Sequence, residues 1–429
     1  MTQAEIRARL CAVIDAHAEE LYAAAREIYA HPELGYCEEH TSAVVRAFFE
    51  KYGIPYTYPH AKTGVKARLG NNPDLPTVAV MGELDAIRCA AHPDADKFGT
   101  VHACGHFAQI TAMLGAALAL KESGIASELA GNVAFLACPA EEFADLDTRR
   151  ALREAGEIAY FGGKQQLISE GVFDGIDCAM LIHAQPNEAE KKLYVRGHNL
   201  GFLTERVTFR GKAAHGSKPY EGTNALNAAA LFLLGIHANR ETFRDEEHIR
   251  IHPIITKGGD VVNSVPDEVI VEMYVRGATR EAIGKGKDAV LRAAQGAALT
   301  IGASVEFEET VGYLPIAESP ALSQVMEDNA SALGVGLVFG EEITGSTDIG
   351  DLSAILPVIQ PSVGGFAGGL HSAEFAVRDR ETAILTPAKL YACTVADLLT
   401  DNAEKLRAVK ASFTPTMTKE QYLDYLKGK

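Results

Sequence analysis

The stretch Thr77-Val78-Ala79-Val80-Met81-Gly82-Glu83-Leu84-Asp85 runs from small and β-branched residues straight into two carboxylates. An apolar run this short reads as a strand buried on both faces. The pattern recurs twice. Val133-Ala134-Phe135-Leu136-Ala137 precedes Glu141 and Glu142, and Ala179-Met180-Leu181-Ile182 precedes His183. In open α/β sheets the ligand site lies beyond the carboxyl ends of the strands, so these polar groups are expected to converge on one crevice of an α/β domain.

Upstream, Ile6, Leu10, Val13, Leu21 and Ile28 recur at helical spacing and predict one long first helix ending near His31-Pro32. Downstream the pattern changes. Leu203, Val207 and Phe209 suggest a strand, 224–236 a helix, 252–256 a short extended piece, and Val269, Val271, Met273 and Val275 an alternating strand. A helix over 280–297 and a strand at 305–308 complete the order β-α-β-β-α-β, a ferredoxin-like α+β unit. This inserted domain is placed at 197–313, which leaves a discontinuous catalytic domain at 1–196 and 314–429.

A chain of 429 residues suits two domains, and 47% hydrophobic with 23% charged residues is a globular composition. The formal net charge of −17 argues against nucleic acid, whose binding depends on clustered Lys and Arg. No apolar stretch approaches the roughly 20 residues of a membrane span, and charges interrupt the first ten residues where a signal peptide needs its apolar centre. Seven scattered cysteines suit reduced thiols, so a cytoplasmic location is expected.

His, Cys and carboxylate oxygen are the common ligands of zinc and its neighbours. The candidates are Cys104, His106, Glu142, His183 and His371. Five ligands exceed one tetrahedral ion and fit two ions sharing a group, for which a Cys104 thiolate is suited. Adjacent side chains diverge, so Glu142 is assigned to metal and Glu141 to general base; Asp85 joins the catalytic candidates. A divalent ion lowers the pKa of bound water towards ~7, and a nearby carboxylate can take that proton and pass it to a leaving nitrogen. Taken singly these residues have blander readings. Cys is among the most often buried residues, a Glu-Glu pair is commonly a solvated face, and His17, His40, His237 and His248 lie in segments without convergent polar partners and stay unassigned.

Seven pieces together resemble one family: His31-Pro32-Glu33-Leu34-Gly35, Gly82-Glu83-Leu84-Asp85-Ala86, His102-Ala103-Cys104-Gly105-His106, Pro139-Ala140-Glu141-Glu142, Ile182-His183, Gly211-Lys212-Ala213-Ala214-His215 and His371. They resemble the zinc aminoacylase and carboxypeptidase family, in the amidohydrolase branch with hippurate hydrolase and auxin-conjugate hydrolases. Gly162-Gly163-Lys164, Gly171-Val172-Phe173 and 345–351 are more similar to the p-aminobenzoyl-glutamate hydrolase subgroup. The resemblance implies a zinc-peptidase-like domain with a central mixed sheet and flanking helices. It implies one or two divalent ions (Zn, Mn or Co) on Cys104, His106, Glu142, His183 and His371, with Glu141 as base. It also implies that the inserted domain is a dimerisation or lid domain, making the protein a homodimer or higher homo-oligomer, and that His215 stabilises an oxyanion. Asn224 and Arg276 are weaker substrate-binding candidates.

Two positions depart from the family pattern. Phe107 stands where Asp or Asn is common after the ligand histidine, and Gln109 where many members carry a further histidine. A carboxylate normally orients a ligand histidine, so its loss at 107 is expected to weaken the site. Phe107 and Phe143 are expected instead to wall a pocket for a flat substrate. The leading expectation is hydrolysis of the amide of an N-acyl, especially aromatic-acyl, amino acid. The alternatives are hydrolytic deamination of an aromatic amine and a non-catalytic binding protein.

Overall fold

The computed structural model describes residues 1–340, 342–343 and 345–428. The chain divides into two compact units, one of 1–197, 317–342 and 351–425, the other of 198–316, 343–350 and 426–429.

The first unit opens with helices α1 (Gln3–Ala16), α2 (Ala18–Ala30) and α3 (Glu39–Lys51). The single first helix expected from periodicity is thus two. His17 breaks it at φ −105°, ψ 13°, outside helical geometry, although the apolar spacing continues across the break. Strands β1 (Tyr56–His60), β2 (Gly64–Leu69) and β3 (Thr77–Glu83) precede helix α4 (His106–Glu122), and β4 (Asn132–Cys138) and β5 (Cys178–Met180) follow it. With a later strand at Val358–Ile359 they form one mixed sheet, ordered β1-β2-β4-β3-β5 and then 358–359. β3 runs parallel to β4 and β5, whereas β2 is antiparallel to β4.

Residues 106–120 of α4 are all buried. A helix apolar on every side belongs inside the fold, and α4 packs against β3, α1, α2 and the helix Thr386–Leu399. The Tyr391 hydroxyl, buried on that last helix, accepts from the Ile182 N–H and donates to the Met81 carbonyl at 3.3 Å. It therefore ties together the ends of two strands that lead into polar residues. Among the described residues, no helix is long and apolar enough to cross a membrane.

The second unit holds β6 (Gly201–Arg210), α5 (Ala225–Asn239), β7 (Arg250–Lys257), β8 (Glu268–Gly277), α6 (Arg280–Ile301) and β9 (Ser304–Val311). Its antiparallel sheet has the order β7-β8-β6-β9, the ferredoxin-like arrangement. Alternate residues Val269, Val271, Met273 and Val275 of β8 are buried against α5 and α6, as a half-covered strand requires.

One cross-strand pair in this sheet opposes two acids, Glu205 on β6 and Glu309 on β9. Burial first, and then the Glu309 charge, push the Glu205 carboxyl up to about 7 from its ordinary 4.5. Because the folded value is raised, its contribution to stability is complete below about pH 4.5 and is lost as pH rises through about 7. Glu205→Gln should therefore melt higher than wild type at pH 8, by roughly 1–3 kcal/mol of stability, and close to wild type at pH 4.5. A difference in Tm that does not change with pH would contradict this account.

Candidate metal centre

The donors Cys104 and His106 flank a glycine in the left-handed region, Gly105 at φ 87°. Glycine adopts this conformation without strain, and a Cβ there would lie 2.7 Å from that of Ala184. The turn sets Cys104 just before α4 and His106 at its first position. His183 begins a short strand paired in parallel with Ser362–Val363, and His371 is held by its N–H to the Ala103 carbonyl, 2.9 Å.

These elements bring the five expected donors into two groups. Donor atoms of Cys104, His106 and His183 lie within 4.8 Å of one another, as do those of Cys104, Glu142 and His371. Cys104 belongs to both. Its sulfur is 3.6 Å from His183 Nε2, and His371 Nε2 is 2.8 Å from Glu142 Oε1. A set of one thiolate, three imidazoles and one carboxylate matches the ligand chemistry of zinc-like ions.

The rings are oriented to bind. His106 Nδ1 lies 2.9 Å from the Asp85 carbonyl and 3.1 Å from its Oδ1, and His183 Nδ1 lies 2.9 Å from the Ala184 carbonyl. Carbonyl oxygens only accept, so Nδ1 carries the hydrogen and Nε2 presents its lone pair. The buried His106 Nε2 has no hydrogen-bond partner, as a metal-directed nitrogen should not. Without a cation the groups titrate against each other. Burial opposes ionisation of Cys104, but the His106 and His183 charges outweigh it and hold the thiol well below its usual range. Burial likewise opposes the His371 cation, yet Cys104 and Glu142 push it up to about 11. Burial, and then Cys104, raise Glu142 to about 7.

The loop after β4 separates the two neighbouring glutamates. Ala140 turns at φ 53°. Its N–H donates to Glu38 Oε1 at 2.7 Å, and its carbonyl accepts from Gly163 N–H at 3.0 Å. The Glu142 N–H donates to Asp85 Oδ2 at 2.9 Å, while Arg149 donates to the carbonyls of Glu142 and of Phe161. Glu142 thereby reaches Cys104 and His371. Glu141 points elsewhere, its Oε2 3.9 Å from His106 Nε2, in a third group with His106 and Glu83.

Several of these residues were not singled out from sequence. Glu38 and Arg149 act on the backbone of a distant loop, which no local pattern reveals. Lys164 pairs with Glu83 at 2.6 Å with both side chains buried; its signal was the segment Gly162-Gly163-Lys164. Asp85 corrects the expectation that Phe107 costs His106 its carboxylate, because Asp85 supplies one from β3's end. Phe107 is itself a correction. It is 4% exposed, belongs to the main core and meets the Tyr29 ring edge-on at 5.0 Å, so it offers no face to a flat substrate. Phe143 is 7% exposed beside Phe161. Gln109 accepts from the Glu83 N–H at 3.3 Å. His102, buried and with both ring nitrogens unpaired, is pushed down to about 3 by burial and then by His106.

In the second unit Asn224 caps α5, accepting from the N–H groups of Leu226 and Asn227, which accounts for it structurally. Arg276 is not simply solvated. Its guanidinium lies over Phe202 and Tyr274 and donates to Ser346 Oγ at 2.5 Å. His215 is exposed, and its Nδ1 accepts from the Ser217 N–H at 3.1 Å. His40, left unassigned from sequence, has partners after all: it forms an exposed donor group with Glu27 and His31.

Residues 198–298 match the M20 peptidase dimerisation domain. The chain is 27% identical to the Xaa-Arg dipeptidase of Homo sapiens over 98% of its length and 94% of that protein's. It is 26% identical to the N-acetylcysteine deacetylase of Bacillus subtilis over 75% of its length and 82% of that protein's. A solved Bacillus subtilis structure described as a dinuclear metal-binding peptidase of the M20 family superposes with a TM-score of 0.70 at 24% identity, covering 90% of this chain and 99% of that chain.

A shared Cys104 has a measurable consequence. After dialysis against zinc, Cys104→Ala should lose metal from both positions and His183→Ala from one, as read by elemental analysis. Equal losses in the two variants would break the shared-ligand geometry.

Proposed function

We propose that the chain is a metal-dependent amidohydrolase like its M20 relatives, and that it hydrolyses the amide bond of a small N-acyl amino acid at a two-ion site. The observation that carries this reading is the pair of donor groups joined through Cys104. Zinc is the first candidate because thiolate and imidazole outnumber carboxylate in the set; cobalt and manganese are the alternatives to be tested. Bound ions would activate a water and polarise the scissile carbonyl.

The chain's own groups do the rest. Glu141, outside both donor groups but 3.9 Å from His106, takes the proton of the attacking water and delivers it to the departing nitrogen. Asp85 keeps His106 in the tautomer that binds metal. His215 accepts at Nδ1 from a backbone N–H, so its hydrogen is on Nε2, the form that can donate to a developing oxyanion. Dimerisation through the second unit accords with Ile254 and Ile255, exposed on its edge strand β7, and with Leu231 and Leu234, exposed on α5.

The acyl group is the open part of this proposal. An aromatic acyl group was expected partly from Phe107 and Phe143, and their burial withdraws that support along with the motive for arylamine deamination. Convergence of all five donors and Glu141 weighs against a non-catalytic role.

The test is a panel of N-acetyl, N-aroyl and dipeptide substrates with zinc-, cobalt- or manganese-loaded protein, scored for free amino acid and separately for ammonia. Release of amino acid is expected, and ammonia alone would overturn the amide reading. Glu141→Gln should lower kcat about 10²–10⁴-fold with metal content unchanged. His215→Ala should lower kcat about 10²–10³-fold, also without loss of metal.

A further inference from the structure

Glu83 and Lys164 form a buried ion pair that the five-donor site does not use. Moving two charges out of water is expensive. Lys164 occupies the short helix Gly163–Ser169, and Glu83 is the last residue of β3. One carboxylate oxygen, Oε1, is 2.6 Å from Lys164 Nζ. The other, Oε2, is buried without a hydrogen-bond partner and lies 3.2 Å from His106 Nε2, which is equally buried and equally without one.

Those two atoms face each other at ion-pair distance, with no hydrogen bond between them. In the tautomer with its hydrogen on Nδ1, towards Asp85, His106 turns a lone pair of Nε2 to a carboxylate. Such a contact is repulsive unless a proton or a metal ion is shared between them. On an ion with bonds of about 2.0–2.2 Å, two tetrahedral ligands lie roughly 3.3–3.6 Å apart, close to the 3.2 Å found here. A sulfur–nitrogen pair on such an ion lies roughly 3.5 Å apart by the same reasoning, and Cys104 Sγ and His183 Nε2 are 3.6 Å apart.

We propose that Glu83, whose donor group is shared with His106 and Glu141, is a further ligand of the ion that His106 binds, and that Lys164 is a positioning residue that orients Glu83 and balances its charge. This rests on the two-ion reading above and deepens it. The two positions then differ: the one that includes His106 gains Glu83, and the other draws on Cys104, Glu142 and His371.

The experiment titrates metal-free protein with cobalt(II) alone, following calorimetry and the visible absorption of the bound ion. It compares wild type with Glu83→Gln, Lys164→Met and the double variant, which removes both buried charges together. Wild type is expected to take up two ions. Glu83→Gln and the double variant should bind one of them at least tenfold more weakly with an altered absorption band, and the other as before. Lys164→Met should show a smaller loss at the same ion. Should Glu83→Gln fail to fold, the double variant carries the comparison, with circular dichroism and melting of the metal-free form as the control for structure. A folded double variant that binds both ions with wild-type affinity and spectrum would overturn this proposal and leave the two-ion reading intact. Failure of wild type to bind two ions would overturn both.

Discussion

Asp85 holds the site together through its two carboxylate oxygens. Oδ1 accepts from the His106 ring, and Oδ2 accepts from the backbone N–H of Glu142. One side chain thus orients a donor from each of the two groups that meet at Cys104. Burial alone would raise its pKa, but the hydrogen bond and charge of His106 outweigh burial and keep it low. Pairing both oxygens is what burying a carboxylate requires.

The surroundings follow from the same constraint. A carboxylate buried at the end of a strand needs neighbours that satisfy it, and a left-handed loop beside it needs its own backbone groups paired. Glu38, Arg149 and Gly163 provide those partners for residues 140–142. Helix α4, buried from 106 to 120, places His106 at its first turn. Polar convergence and apolar packing are therefore two parts of one arrangement: the hydrogen bonds give direction, and the core gives the low dielectric in which they are strong.

The second unit is built on different terms. Its sheet and two helices follow regular alternation, and every element expected there from periodicity is present, because half-covered strands and amphipathic helices write their burial into the sequence. An asparagine before a helix and an arginine beside aromatic rings both have structural work, capping in one case and packing in the other.

Sequence by itself determined the strands that end in polar residues and the ferredoxin-like insertion, because each is a local pattern of residue type and spacing, and it offered the five candidate donors that the fold brings together. It could not show that α1 and α2 are separate helices, since apolar spacing passes over the break at His17. It also misled at Phe107: reading along the chain, a missing carboxylate next to His106 looked like a loss. Only the tertiary structure brings Asp85, 21 positions away, to that ring, turns Phe107 into the core, splits Glu141 from Glu142, and sets Lys164 against Glu83. Direction and long-range pairing are properties of packed side chains, and a linear pattern carries the residue types without the angles at which they meet.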